Sequence, residues 1–111
     1  MAQRHELMKV SIDSLLLCLI SQQPIYGYQI IKELERRSAG YFKFKEGTLY
    51  PALHRLERVG LISGTWQTLP NGRQRRYYYI TDKGHKVLVA KRNQWLDFFT
   101  AMNLIIQPAS I

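Results

Sequence analysis

The spacing of apolar residues changes twice along this chain of 111 residues, and that succession limits what it can fold into. Ile12, Leu15, Leu16, Leu19 and Ile20 stand at i, i+3, i+4, i+7 and i+8, one face of an amphipathic helix. Residues 6–9 can extend that helix backwards. Gln23-Pro24 ends it, because a residue before proline avoids the helical region. A second helix is predicted over residues 26–37, with Ile30, Ile31 and Leu34 inward, Lys32, Glu33, Glu35 and Arg36 in solvent, and Gly40 closing it. A third starts near Gly47, since Pro51 fits only a first turn, where its missing N–H costs nothing. Leu49, Leu53 and Leu56 form its stripe, and Gly60 ends it.

Beyond Gly60 the helical period gives way. Residues 61–69 and 75–80 are rich in Thr, Tyr, Ile and Trp, which suit strands. Between them Leu69-Pro70-Asn71-Gly72-Arg73 carries the Asn-Gly signal of a tight hairpin. Alternation puts Arg76, Tyr78 and Ile80 on one side of the second strand, with Tyr78 and Ile80 facing the helices, and Arg75, Tyr77 and Tyr79 on the other. Thr81 is a candidate N-cap for a last helix over residues 82–106.

In that helix Leu88, Trp95 and Met102 recur every seven residues, Lys91, Phe98 and Ile105 stand three further on, and Phe99 and Ile106 widen the stripe. A second chain is its simplest cover; folding back onto its own head is the alternative. The expected fold is mostly α with a β-hairpin (α+β). Residues 1–81 form a winged helix-turn-helix domain, and residues 82–111 a C-terminal dimerisation helix.

Charge narrows the partners. The chain carries 16 Lys and Arg against 8 Asp and Glu, a formal net charge of +8. Residues 71–92 hold seven basic side chains against the single acid Asp82. Such an excess favours a polyanion, nucleic acid before a membrane surface. Cys18 is the lone cysteine and sits in an apolar run, which excludes an intrachain disulfide and fits a reducing compartment. No secretion signal or bilayer-length apolar segment is read, so the expected location is the cytoplasm, with no membrane partner. His5, His54 and His85 have no Cys, Asp or Glu at ligand spacing, and no glycine-rich phosphate loop follows a strand. No metal, cofactor or enzyme activity is expected.

Three helices and a hairpin suit duplex DNA, because a helix fits the major groove. With the leucines of helix three turned inward, Gly47, Pro51, His54 and Arg58 lie opposite, Thr48 and Arg55 on one flank, and Tyr50 on the other. Thr48, Tyr50, His54 and Arg55 are therefore the candidates for bases and phosphates, and Tyr26, at the start of helix two, is counted with them. Arg73, Arg75 and Arg76 crowd the hairpin tip, where guanidinium forks match phosphate oxygens or a narrow minor groove; Arg76, on the inner side, is partly structural. Two other classes of function remain. A protein–protein winged helix would carry an acidic or apolar outer side on helix three, and an RNA-binding one would expose aromatics for stacking, as Tyr77 and Tyr79 could.

The run Gly47-Thr48-Leu49-Tyr50-Pro51-Ala52-Leu53-His54-Arg55-Leu56-Glu57 resembles the third-helix signature of PadR-type transcription regulators. Tyr26-Gly27-Tyr28, Gly60-Leu61-Ile62 and Arg75 to Gly84 stand around it in matching order, so the resemblance spans about residues 7–106. The short C-terminal portion is similar to the small subgroup with a single dimer-forming helix. The resemblance implies a homodimeric repressor on a palindromic operator, commonly released by a small aromatic or planar effector. In its multidrug-sensing branch a tryptophan of the last helix stacks flat ligands between subunits, and Trp95 stands there. Leu88, Phe98, Phe99 and Met102 are the further interface or ligand candidates, and Asp97 could favour a cation. Phe98 and Phe99 could equally fill the space that a ligand needs.

Overall fold

The computed structural model describes residues 2–108, with side chains from Ile12 onward; the side chain of His5 and residues 109–111 lie outside what it describes. The elements are α1 (Ala2–Gln22), β1 (Ile25–Tyr26), α2 (Gly27–Arg37), α3 (Glu46–Arg58), β2 (Ile62–Thr68), β3 (Gln74–Ile80) and α4 (Asp82–Ile106). The strands form one antiparallel sheet in the order β1-β3-β2. This is the expected mixed α and β architecture of a winged helix. The two-residue β1 is an addition: periodicity does not register so short a segment, and only its pairing with Tyr77 and Tyr78 makes it a strand.

The helices meet on the stripes that the spacing marks. Leu16, Leu17 and Ile20 of α1, Ile30 and Leu34 of α2, and Leu49, Leu53 and Leu56 of α3 are all buried in one core, which Ile25, Ile62 and Tyr78 of the sheet complete. Each such side chain contributes about 1.5–3 kcal/mol on burial. Ala39 and Gly40 take positive φ after α2 (53° and 84°), a left-handed turn in which glycine has no Cβ to strain. The wing turns where Asn-Gly predicts. Gly72 has φ 84°, its N–H bonds the Leu69 carbonyl at 2.9 Å, and the Asn71 carboxamide accepts from the Arg73 N–H at 3.0 Å.

α3 begins one residue earlier than the sequence reading has it, at Glu46, so Pro51 is its sixth residue. The helical donor missing there would have served the carbonyl of Gly47, and Gly47 and Pro51 are both exposed, so water can take that place.

Where the head ends also differs from the expected boundary. Thr81 caps α4, its hydroxyl accepting from the Gly84 N–H at 3.0 Å and donating to the Gly60 carbonyl at 2.6 Å. Gly84 and Leu88 are both buried, so the first two turns of α4 are part of the head's core. Past them the helix runs outward. The radius of gyration is 16.2 Å, against about 13 Å for a compact chain of this length.

Gly84 is there for space. A Cβ on it would collide with the carbonyl oxygen of Leu61. Alanine for glycine within a helix ordinarily gains about 1 kcal/mol; at this contact Gly84→Ala should instead cost about 1–3 kcal/mol. Urea unfolding reads the sign, and an unchanged midpoint would mean that α4 can move off Leu61 freely.

Candidate nucleic-acid interface

Three buried leucines leave the opposite side of α3 to solvent. Gly47, Thr48, Pro51, His54 and Arg58 are exposed and Tyr50 is half-buried. The N-cap of α3 is Lys45, without a side-chain cap. Thr48 is therefore not spent on capping the helix and is exposed. Tyr50 crosses toward α2: a Cβ on Gly27 would lie 2.5 Å from its hydroxyl oxygen, so a side chain there would displace the Tyr50 ring.

Arg55, expected at the groove, lies along α1. Its guanidinium donates to Asp13 Oδ1 at 2.9 Å. The helical wheel of α3 puts Arg55 on a flank, and it does not contain α1, whose carboxylate draws the side chain aside. Of the four candidates on α3, the structure brings Tyr50 and His54 to one cleft and leaves Thr48 open on the same helix.

The wing carries the arginines in three different settings. Arg73 is exposed at the turn. Arg75 lies over the ring of Tyr26, 3.9 Å from its centroid, a cation–π contact, and Tyr26 meets Tyr77 edge to face. Arg76 is on the inner side and ion-paired with Glu57 of α3. Gly64, opposite Tyr78 on β2, leaves the room that the Arg76 guanidinium occupies, and a Cβ there would make that side chain shift. Arg76 thus ties the wing to α3, in line with the partly structural role read from alternation.

Between α3, the start of α2 and the wing opens a cleft of about 500 Å³. Tyr26, Tyr50, His54, Arg75 and Arg76 all line it, and among the described residues no carboxylate does. The first turn of α2, also at the cleft, has no side-chain cap, and it is the positive end of the helix dipole. Two further aromatics stand here that are not among the candidate contacts, Tyr28, which enters only in the Tyr26-Gly27-Tyr28 motif, and Trp66, which enters only among the strand-forming residues of 61–69.

The C-terminal candidates separate. Leu88 is buried in its own head, not on an outward seam, because α4 starts against α1. Phe98, Phe99 and Met102 are about half exposed, and Leu104, Ile105 and Ile106 more so. Trp95 is between the two: its Nε1–H donates to Ser14 Oγ of α1 at 3.2 Å, and its ring packs against Phe98 and Phe99. Trp95, Phe99, Ser14 and Cys18 wall a small apolar cleft of about 250 Å³. The charged residue on its wall is Arg92, whereas Asp97 is exposed and outside it. A cation is therefore not the ligand type this cleft favours. Burial pushes the Cys18 thiol up in pKa, which Arg92 and Arg37 partly oppose; a raised thiol is a poor nucleophile.

This geometry, a helix presented beside an arginine-bearing wing, is that of a DNA-binding winged helix, and known proteins share it. Residues 16–90 match the transcriptional regulator PadR-like family, and the chain belongs to that family. It is 31% identical to uncharacterized protein X of Lysinibacillus sphaericus over 104 residues, 94% of this chain and 95% of the other. The crystal structure of a PadR-like transcriptional regulator from Bacillus cereus superposes with a TM-score of 0.76 at 30% identity, covering 98% of this chain and 100% of that one. The X-ray structure of a PadR-like transcription factor from Bacteroides fragilis gives 0.78 at 28%, with 95% and 99% covered. Among the described residues, no helix is long and apolar enough to cross a membrane.

The two inner and outer arginines should respond differently to removal. Arg76→Ala breaks a charge-assisted contact in a partly buried setting and should cost about 1–3 kcal/mol of stability. Arg73→Ala should change stability by less than about 0.5 kcal/mol; thermal melts of the pair decide. Tyr78 gives a pH signature. Burial holds its hydroxyl above the ordinary tyrosine pKa, with the Arg76 charge opposing. The unfolded chain then loses this proton first, so stability falls as pH rises from about 10 upward. Tyr78→Phe should remove part of that alkaline loss, seen as a flatter plot of melting temperature against pH.

Proposed function

We propose that this protein is a homodimeric, sequence-specific repressor that binds a palindromic operator from the cytoplasm and is released by a small planar aromatic effector. The observation that carries the DNA reading is the side of α3 left outside the core. Thr48, Tyr50 and His54 face the major groove from there, while Arg73 and Arg75 hold backbone or minor groove from the wing. Arg55 and Arg76 contribute positive field and hold α3 and the wing in place through Asp13 and Glu57.

The dimer reading rests on α4. Phe98, Phe99, Met102, Ile105 and Ile106 leave a continuous apolar stripe uncovered, which in water favours association. A second copy supplies the same stripe, as a two-fold interface requires. The apolar cleft beside Trp95, about 250 Å³, is smaller than the 300–1,000 Å³ usual for ligand sites. Two such clefts joined across a dimer axis reach that range. With Arg92 as its charged wall, the joined site suits a neutral or anionic aromatic. An effector that prefers one separation of the two heads shifts the dimer away from the operator spacing.

Fluorescence anisotropy tests the first part, with duplex from upstream of the protein's own gene against scrambled duplex over a salt series. Preferential binding at a dimer's stoichiometry, weakening steeply with salt, is expected. Equal, weak binding to both would reject the operator reading and point to RNA or protein partners. Trp95→Ala should lower dimer stability and abolish quenching by planar aromatics; a variant that still dimerises and still binds them removes Trp95 from the site.

A further inference from the structure

Trp66 is the largest side chain on the wing, and more than half of it is left to solvent. It stands on β2 opposite Arg76 and is 59% exposed. A strand position in solvent is served as well by Thr or Gln, so a half-exposed indole there leaves a large apolar face in water. That ring is also held in place. The Arg76 guanidinium lies 5.5 Å from its centroid and is itself anchored by Glu57. The ring forms a wall of the cleft that Tyr50 and His54 of α3 share with Arg75 of β3. Among the described residues, none of α1 or α4 lines this cleft, so the apolar stripe of α4 that would seat a second copy is not what covers Trp66.

We infer that Trp66 is a further DNA-contacting residue, a rigid platform for one deoxyribose-phosphate unit of the duplex where the backbone passes between α3 and the wing. The inference rests on the regulator reading and deepens it. A deoxyribose offers a C–H face that suits an indole, and its phosphate offers an acceptor for the indole N–H. Arg75 and His54 supply positive or hydrogen-donating groups around the same cleft, whose lining has no carboxylate to oppose a phosphate. The contact is made through the backbone, so it carries affinity and positioning rather than base sequence. Because Trp66 has no charge, its contribution does not come from counterion release.

The chain has two tryptophans, so incorporation of 5-fluorotryptophan into the full protein gives two fluorine resonances. Trp66→Phe assigns them. On titration with upstream duplex, the Trp66 resonance should shift. In parallel, Trp66→Ala should bind that duplex and scrambled duplex about tenfold more weakly, with Trp66→Phe closer to wild type because it keeps a ring over Arg76. The slope of log affinity against log salt should stay as in wild type, whereas Arg73→Ala should lower it by about one. If wild type binds the duplex while the Trp66 resonance stays still, or if Trp66→Ala binds equally well, the inference falls and the regulator reading stands. If no duplex is bound by wild type, both fall together.

Discussion

The burial of Leu49, Leu53 and Leu56 against α1 and α2 is the constraint on which the rest of this structure depends. A recognition helix works only if its outward side is presented at a constant angle, and close packing is what holds that angle. With those leucines anchored, the polar side of α3 has one orientation. The wing, which follows α3 after a short connection, is placed by the same core through Ile62 and Tyr78.

Two ion pairs extend this control from the core to the surface, each drawing on a cation that the composition alone would assign to a partner. Arg55 is held by Asp13 and Arg76 by Glu57. One ties α3 to α1, the other ties the wing to α3. Both pairs are half-buried, and as pairs they add little net stability because desolvation offsets their attraction, although removing one partner leaves the other uncompensated. Their importance is geometric: they hold charged arms at fixed positions beside the DNA-facing surface. Asp13 and Ser14 are neighbours on α1, and Ser14 accepts the hydrogen bond of Trp95. The same turn of α1 therefore touches both α3 and α4, which is where a dimer-seated ligand would bear on the DNA-facing side.

The two clefts differ as their proposed ligands do. The one between α3 and the wing is ringed by hydroxyls, imidazole and guanidinium, as suits a polyanion. The one beside Trp95 is apolar, with a single arginine at its wall, as suits the proposed aromatic effector. Membership of the PadR-like family agrees with a chain built as a DNA-reading head on a projecting helix.

Local pattern determined the elements and their faces. The leucine spacing marked three helices and their buried sides, Asn71-Gly72 marked the wing turn, and Thr81 marked the start of α4, because periodicity, turn chemistry and capping depend only on residues near in sequence. Tertiary structure decided what depends on residues far apart. β1 exists only through Tyr77 and Tyr78. Leu88 belongs to the head because α1 lies beneath it, and Arg55 turns aside because Asp13, 42 positions away, reaches it. The heptad of α4 was legible as a stripe, yet its first leucine served a different core from the rest. Charge count could show that arginines were plentiful; only packing could show which of them were already paired, since an ion pair is set by proximity in space and leaves no period in the chain.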